Sequence, residues 1–179
     1  MVMKFIRWLD KHLEEYFLVS ATGIAVVVLT YQVFMRSIMG DSSRWSEELG
    51  RYLFIWIIYI GISYGVKKQR HISVDAFVML FQARGKVILN IIANALFLFF
   101  AVYMVYYGYV VASQIFMRGQ VSAGLGIQMG WVYLAGPVGM ALTSIRIIQH
   151  IIFQVRNLIK GDLEGVEKEF EEKVKQEGV

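Results

Sequence analysis

The sequence predicts an all-α membrane protein with four transmembrane helices plus interfacial amphipathic helices. Three observations lead there. Of 179 residues, 57% are hydrophobic and only 18% charged, more apolar surface than a soluble domain of this size needs to bury. Four apolar runs are each long enough for a hydrocarbon core of about 30 Å, which takes roughly 20 helical residues. Lys and Arg flank those runs instead of forming one stripe, so the net charge of +4 reads as membrane topology and not as a nucleic-acid surface. With no Cys and a single Pro, disulfide frameworks, cysteine zinc sites and thiol catalysis are excluded.

Residues 1–15 hold "VMKFIRWLDKHLEE", in which Phe5, Ile6, Leu9 and Leu13 share one side and Lys4, Arg7, Lys11 and Glu14 the other. That spacing predicts an amphipathic helix lying in the membrane interface, with Trp8 near its boundary, or else an extension of the first span into water. The four-helix domain then covers residues 16–155, with spans near 16–35, 45–66, 88–116 and 131–153. The third is longer than a perpendicular crossing requires, so it tilts or projects. Acids before the first run and the lack of a small-residue cleavage site argue against a signal peptide.

The basic loop "KKQRHISVDAFVMLFQARGK" is apolar inside, predicting a second short surface helix. Glycines in "MRGQVSAGLGIQMG" favour irregular backbone between spans three and four. Residues 156–179 form a charged tail that becomes acidic after Lys160 but keeps a helical stripe of Leu163, Val166, Phe170 and Val174. Lys and Arg number 13 on the two termini and middle loop against 4 on the other connections. Both termini and the middle loop are therefore expected to be cytoplasmic.

No Asp or Glu occurs between Asp75 and Asp162, and the first run has none inside it. Ion-coupled carriers often use buried carboxylates or paired broken helices, so this chain is not expected to form a transport pathway alone. His12, His71 and His150 include no close ligand pair, so neither metal nor cofactor is expected. Arg146 lies within the fourth run, either snorkelling to the interface or paired with a buried carboxylate or carbonyl. Pro137 sits near the start of that run, where a kink costs least. Gly61 and Gly65 form G-x-x-x-G, which permits close helix approach.

The turn "WSEELGR" stands directly before the second run. Tyr52–Val66 is too short to span, so the helix must recruit this turn. Ser43 or Ser46 can cap it, placing Glu47 and Glu48 in a first turn that favours negative charge. Arg51 is four residues from Glu47 and three from Glu48, within reach of either. Trp45 suits the headgroup level. A cap alone would not require all four, so the turn reads as a contact surface as well as a helix start.

The stretch "WSEELGRYLFIWIIYIGISYGVKKQRHISVDAF" closely resembles the signature of the small membrane subunit of TRAP (tripartite ATP-independent periplasmic) transporters. It carries Trp45, Glu47, Glu48, Arg51, Tyr52, Gly61, Lys67–Arg70, His71, Ile72, Val74 and Asp75. "LGIQMGWVYLAGPVGMAL", with Pro137 and Gly139, and the later Arg146 extend the resemblance to residues 16–155. The resemblance implies a non-catalytic subunit of a sodium-coupled, binding-protein-dependent importer of carboxylates such as sialic acid or C4-dicarboxylates. Its implied partners are a large multi-span transport subunit, a periplasmic substrate-binding protein and membrane lipid. Within it, Trp45 and the Glu47/Glu48/Arg51 turn are expected to organise the external end of span two, and His71 and Asp75 the cytoplasmic surface helix. Two rival readings are a membrane anchor of a respiratory haem or quinone complex and a self-sufficient small transporter.

Overall fold

The computed structural model describes residues 2–40, 43–68 and 83–160. The chain is all-α. Helix α1 covers Val2–Met39, α2 Arg44–Lys67, α3 Ala83–Met117, α4 Gly130–Tyr133 and α5 Ala135–Lys160. Four segments are long and apolar enough to cross a membrane: His12–Ile38, Arg44–Lys67, Ile88–Met117 and the α4–α5 stretch Gly130–Arg156. They coincide with the four runs read from the sequence. The second surface helix, His71 and Asp75 lie outside the described residues, as does the tail beyond Lys160. The side-chain pattern over residues 2–11 also lies outside the described part, although the backbone there is helical.

Helix α1 runs without interruption through 38 residues, about 57 Å at 1.5 Å per residue. Residues 2–15 thus join the first span as one rod. Helix α3, with 35 residues, is similarly longer than the bilayer core, about 52 Å.

Among the described residues, α1 packs on α2, α2 on α5, and α5 on α3, while α1 and α3 do not meet. The long helices therefore form an open row, α1–α2–α5–α3, instead of a closed bundle. Small side chains set the closest approaches. At Gly139 of α5, a Cβ would lie 2.7 Å from the Tyr59 carbonyl oxygen of α2. At Gly108 of α3, one would lie 3.1 Å from Cδ of Pro137. Pro137 occupies the first turn of α5, where its missing N–H leaves no helical bond unmade. Its buried ring fills the α3–α5 seam. The expected G-x-x-x-G behaves differently: a Cβ at Gly61 or Gly65 meets nothing within 4 Å among the described residues. Close helix approach falls instead to positions such as Gly139, Gly108 and Gly50, where a Cβ would lie 2.9 Å from Cδ2 of Leu29 on α1.

The connection from α3 to α4 is more regular than its glycines suggest. Val121 and Gln128 form an antiparallel bridge, Ser122 N–H donates to Ile127 O at 2.9 Å and Met129 N–H to Gln120 O at 2.9 Å. Gly126 closes the turn with φ +68°, a conformation that favours glycine.

Candidate functional site at the two ends of the second helix

Helix α2 carries a polar cluster at each end. At its N-terminal end, neither serine caps through its side chain. Ser43 is the N-cap by backbone position only, and Ser46, fully buried, donates its hydroxyl back to Ser43 O at 2.8 Å. The two acids separate. Glu47 accepts from Arg51 Nη2 at 2.8 Å, an exposed i,i+4 pair with both side chains more than half accessible. Glu48 turns instead to the α3–α4 loop, where its Oε2 accepts the Leu125 N–H at 3.0 Å.

Tyr52 makes a second tie one turn along, with its hydroxyl 3.2 Å from Met129 Sδ. The loop presses close between them: a Cβ at Gly124 would lie 2.9 Å from the Arg44 carbonyl oxygen and 3.0 Å from Glu48 Cδ. Trp45 stacks obliquely on Tyr31 of α1, centroids 5.7 Å apart, and remains 40% exposed. The turn "WSEELGR" thus holds α1 through Trp45 and the loop through Glu48 and Tyr52, while its Glu47–Arg51 pair faces solvent.

At the other end, Ser63 and Lys67 lie four residues apart on one face of α2. Both meet Glu14 of α1. Ser63 Oγ donates to Glu14 Oε1 at 2.9 Å, and Lys67 Nζ stands 3.0 Å from Oε2. From α5, Arg146 Nε donates to the same Oε1 at 2.9 Å, and its Nη1 donates to Gln149 Oε1 at 3.0 Å. Glu14 is 1% exposed and Arg146 9%. A carboxylate this buried is stable only with such compensation. One side chain therefore ties together three helices, including α1 and α5, which do not pack directly on each other.

Of the residues singled out in the sequence, Trp45, Glu47, Glu48 and Arg51 share the first two turns of α2, and Arg146 has a buried carboxylate partner in Glu14. Pro137 belongs to the α3–α5 seam, and Gly61 and Gly65 join neither cluster. Sequence reasoning gave no site role to Glu14, Ser63, Lys67 or Tyr52, although Tyr52 and Lys67 belong to the stretch that carries the resemblance. A signal for Glu14 existed. An arginine in an apolar run calls for an anion at similar depth, and alternating helix directions place Glu14, in the first third of α1, near Lys67, at the end of α2, and Arg146, near the middle of α5.

Residues 25–157 match the family described as tripartite ATP-independent periplasmic transporters, DctQ component. The chain is similar to a sialic acid TRAP transporter small permease protein of Vibrio cholerae, 27% identical over 163 residues, covering 90% of this chain and 91% of that one. It is 33% identical over 122 residues to a C4-dicarboxylate TRAP transporter small permease protein of Pseudomonas aeruginosa, covering 66% and 58% of the two chains. An isethionate TRAP transporter permease protein of Oleidesulfovibrio alaskensis is 28% identical over 157 residues, 84% of this chain. The match spans only 25% of that longer relative. With a family match that runs from the middle of α1 to the last turns of α5, the chain belongs to the DctQ component family of the TRAP transporters.

Proposed function

We propose that this chain is the non-catalytic small membrane subunit of a sodium-coupled, binding-protein-dependent carboxylate importer. It braces a large multi-span transport subunit in the inner membrane and helps dock a periplasmic substrate-binding protein. The carrying observation is the open row of helices. A row encloses no passage; among the described residues its outer member α1 packs only on α2, and α3 only on α5 and the short α4. Wide apolar faces follow, including Phe99, 75% exposed on α3, and lipid or a second membrane subunit must cover them. Fusion in relatives supports the second cover. About three-quarters of the isethionate relative lies outside the match, since this chain covers only 25% of it, and 23% of a sialic acid TRAP permease protein of Haemophilus influenzae.

In this reading both termini and the α2–α3 connection face the cytoplasm, following the distribution of Lys and Arg. The Glu14 cluster then stands at the cytoplasmic end and the Glu48-anchored loop at the periplasmic end. Trp45, the exposed Glu47–Arg51 pair and the loop form the surface offered to the binding protein. Gly61 and Gly65, open within the chain, allow a helix of the large subunit to approach, and His71 and Asp75 organise the cytoplasmic connection. The relatives' names make sialic acid and C4-dicarboxylates the first candidate solutes.

The test is purification of the tagged chain from its native membranes in mild detergent, with mass spectrometry of accompanying proteins, followed by reconstitution. A large multi-span protein in stoichiometric amount, and sodium-driven uptake that needs both chains, is the expected result. A haem or flavin protein as the partner, or uptake by this chain alone, refutes the reading.

A further inference from the structure

Helix α3 carries three tyrosines at a depth where tyrosine is out of place. The midpoint of its spanning segment, Ile88–Met117, falls beside Tyr103, and Tyr106 and Tyr107 follow within about 7 Å along the axis. The interfaces where tyrosine concentrates are about 15 Å from the middle of a bilayer core. All three side chains are exposed. They share one helix face with Gln114, which is exposed as well. Gly108, which meets Pro137 of α5, and the fully buried Ala101 and Ala112 mark the opposite side.

The rings brace one another. Tyr103 and Tyr107 have centroids 4.3 Å apart, and Tyr106 meets Tyr107 edge-on at 5.2 Å. Their hydroxyls have no hydrogen-bond partner among the described residues, nor has the Gln114 side-chain amide. A tyrosine hydroxyl stands too far out to bond its own helix backbone, and acyl chains offer neither donor nor acceptor. Leaving such groups unbonded in hydrocarbon is costly.

The other edge of the row differs. Val19, Ile24, Val26, Val27 and Val33 give α1 an aliphatic outer face, and Ser20 satisfies its hydroxyl within the helix, on Tyr16 O at 2.8 Å. Lipid suits α1. The tyrosine face of α3 calls for polar groups at mid-depth, and a transmembrane helix supplies them as Ser, Thr or Asn side chains, or as backbone carbonyls left open by small residues.

We infer that the tyrosine face of α3 seats a polar-lined transmembrane helix of the large subunit, bonded to the hydroxyls of Tyr103, Tyr106 and Tyr107 and to the Gln114 amide, while α1 faces lipid. The inference rests on the assembly role proposed above and adds which helix makes the contact and by what chemistry. The isethionate relative, three-quarters of which lies outside the match, has ample further chain to contain such a helix.

The test begins with a photo-reactive benzoylphenylalanine placed at position 106 in one full-length chain and at position 27 in another, irradiated in native membranes before purification. A cross-link from position 106 to the co-purifying large subunit, and none from position 27, is expected. Tyr103→Phe, Tyr106→Phe and Tyr107→Phe each remove one oxygen and keep the ring. Each should weaken association of the purified pair about three-fold, and the triple variant about twenty-fold, the effect of interhelical hydrogen bonds of ordinary strength. Melting of the isolated chain should not change, since no bond within it is lost. If no large subunit accompanies the parent chain, the assembly role fails and this inference with it. Suppose instead that the subunit is present. Cross-linking only from position 27, a link from position 106 to a second copy or to no protein, or a triple variant that associates as tightly as the parent then overturns this inference alone.

Discussion

Replacing Glu14 by Gln tests the three-helix tie most directly. The amide keeps the size of the side chain and one oxygen to accept from Ser63 and Arg146, so little packing is lost. The negative charge disappears, and Arg146, 9% exposed, and Lys67, with an 18% exposed side chain, are left facing each other across a neutral group. Removing one member of a buried ion pair typically costs about 3–5 kcal/mol. Lys67 is the less buried cation and can turn outward, which puts the expectation near the lower bound, about 3 kcal/mol. At roughly 2–4 °C per kcal/mol for a chain of this length, the melting midpoint should drop by about 6–12 °C. Thermal unfolding of the full-length chain in one detergent, followed by tryptophan fluorescence, measures it. A double variant, Glu14→Gln with Arg146→Gln, should lose less than the two single changes added, because both changes remove the same ion pair. A midpoint for Glu14→Gln within about 1 °C of the parent, or strict additivity in the cycle, would refute the reasoning.

Three further outcomes follow from the packing. Gly139→Val should push α5 from α2, since even its Cβ would lie 2.7 Å from the Tyr59 carbonyl oxygen, and overpacking of this kind costs about 1–3 kcal/mol or more; thermal melting reads it. Gly61→Ala and Gly65→Ala, with open space at both positions, should leave the melting of the isolated chain unchanged, while loss of co-purification with a membrane partner would identify their face as the contact. Glu48→Gln should speed hydrogen exchange at the Leu125 amide and leave α5 amides protected, whereas Glu47→Gln should change neither, because its pair with Arg51 is exposed and worth at most about 0.5 kcal/mol. Transport lost in Glu47→Gln without loss of stability would mark that pair as a docking contact.

The spans were legible because a 20-residue apolar run has few other meanings. Partners were legible only where they share a helix. Arg51 reaches Glu47 by simple i,i+4 spacing, but the same rule offered Glu48 equally, and only the folded loop decides between them. The Leu125 amide is 77 positions away in sequence, and no periodicity connects it to Glu48. Glu14 was hidden for another reason. Counted outside its apolar run, it read as part of a polar helix face, and the continuity of α1 with the first span is what brings it level with Arg146. The G-x-x-x-G pattern marks a possibility of close approach; in this chain Gly139 opposite Tyr59 and Gly108 opposite Pro137 provide it instead.

The open row also has a temporal side. Its spatial order, α1–α2–α5–α3, departs from the order of synthesis. As the polypeptide leaves the ribosome, α2 can join α1 at once, bringing Ser63 and Lys67 to Glu14. Helix α3 then enters the bilayer with no mate, because neither α1 nor α2 packs on it. Only when Gly139 settles on Tyr59 and Pro137 reaches Gly108 does α5 wedge itself in and draw α3 onto the row, and with it comes Arg146, the last cation of the cluster. The final helix thus completes the row: a chain ending after Met117 would leave α3 without the helix it packs on.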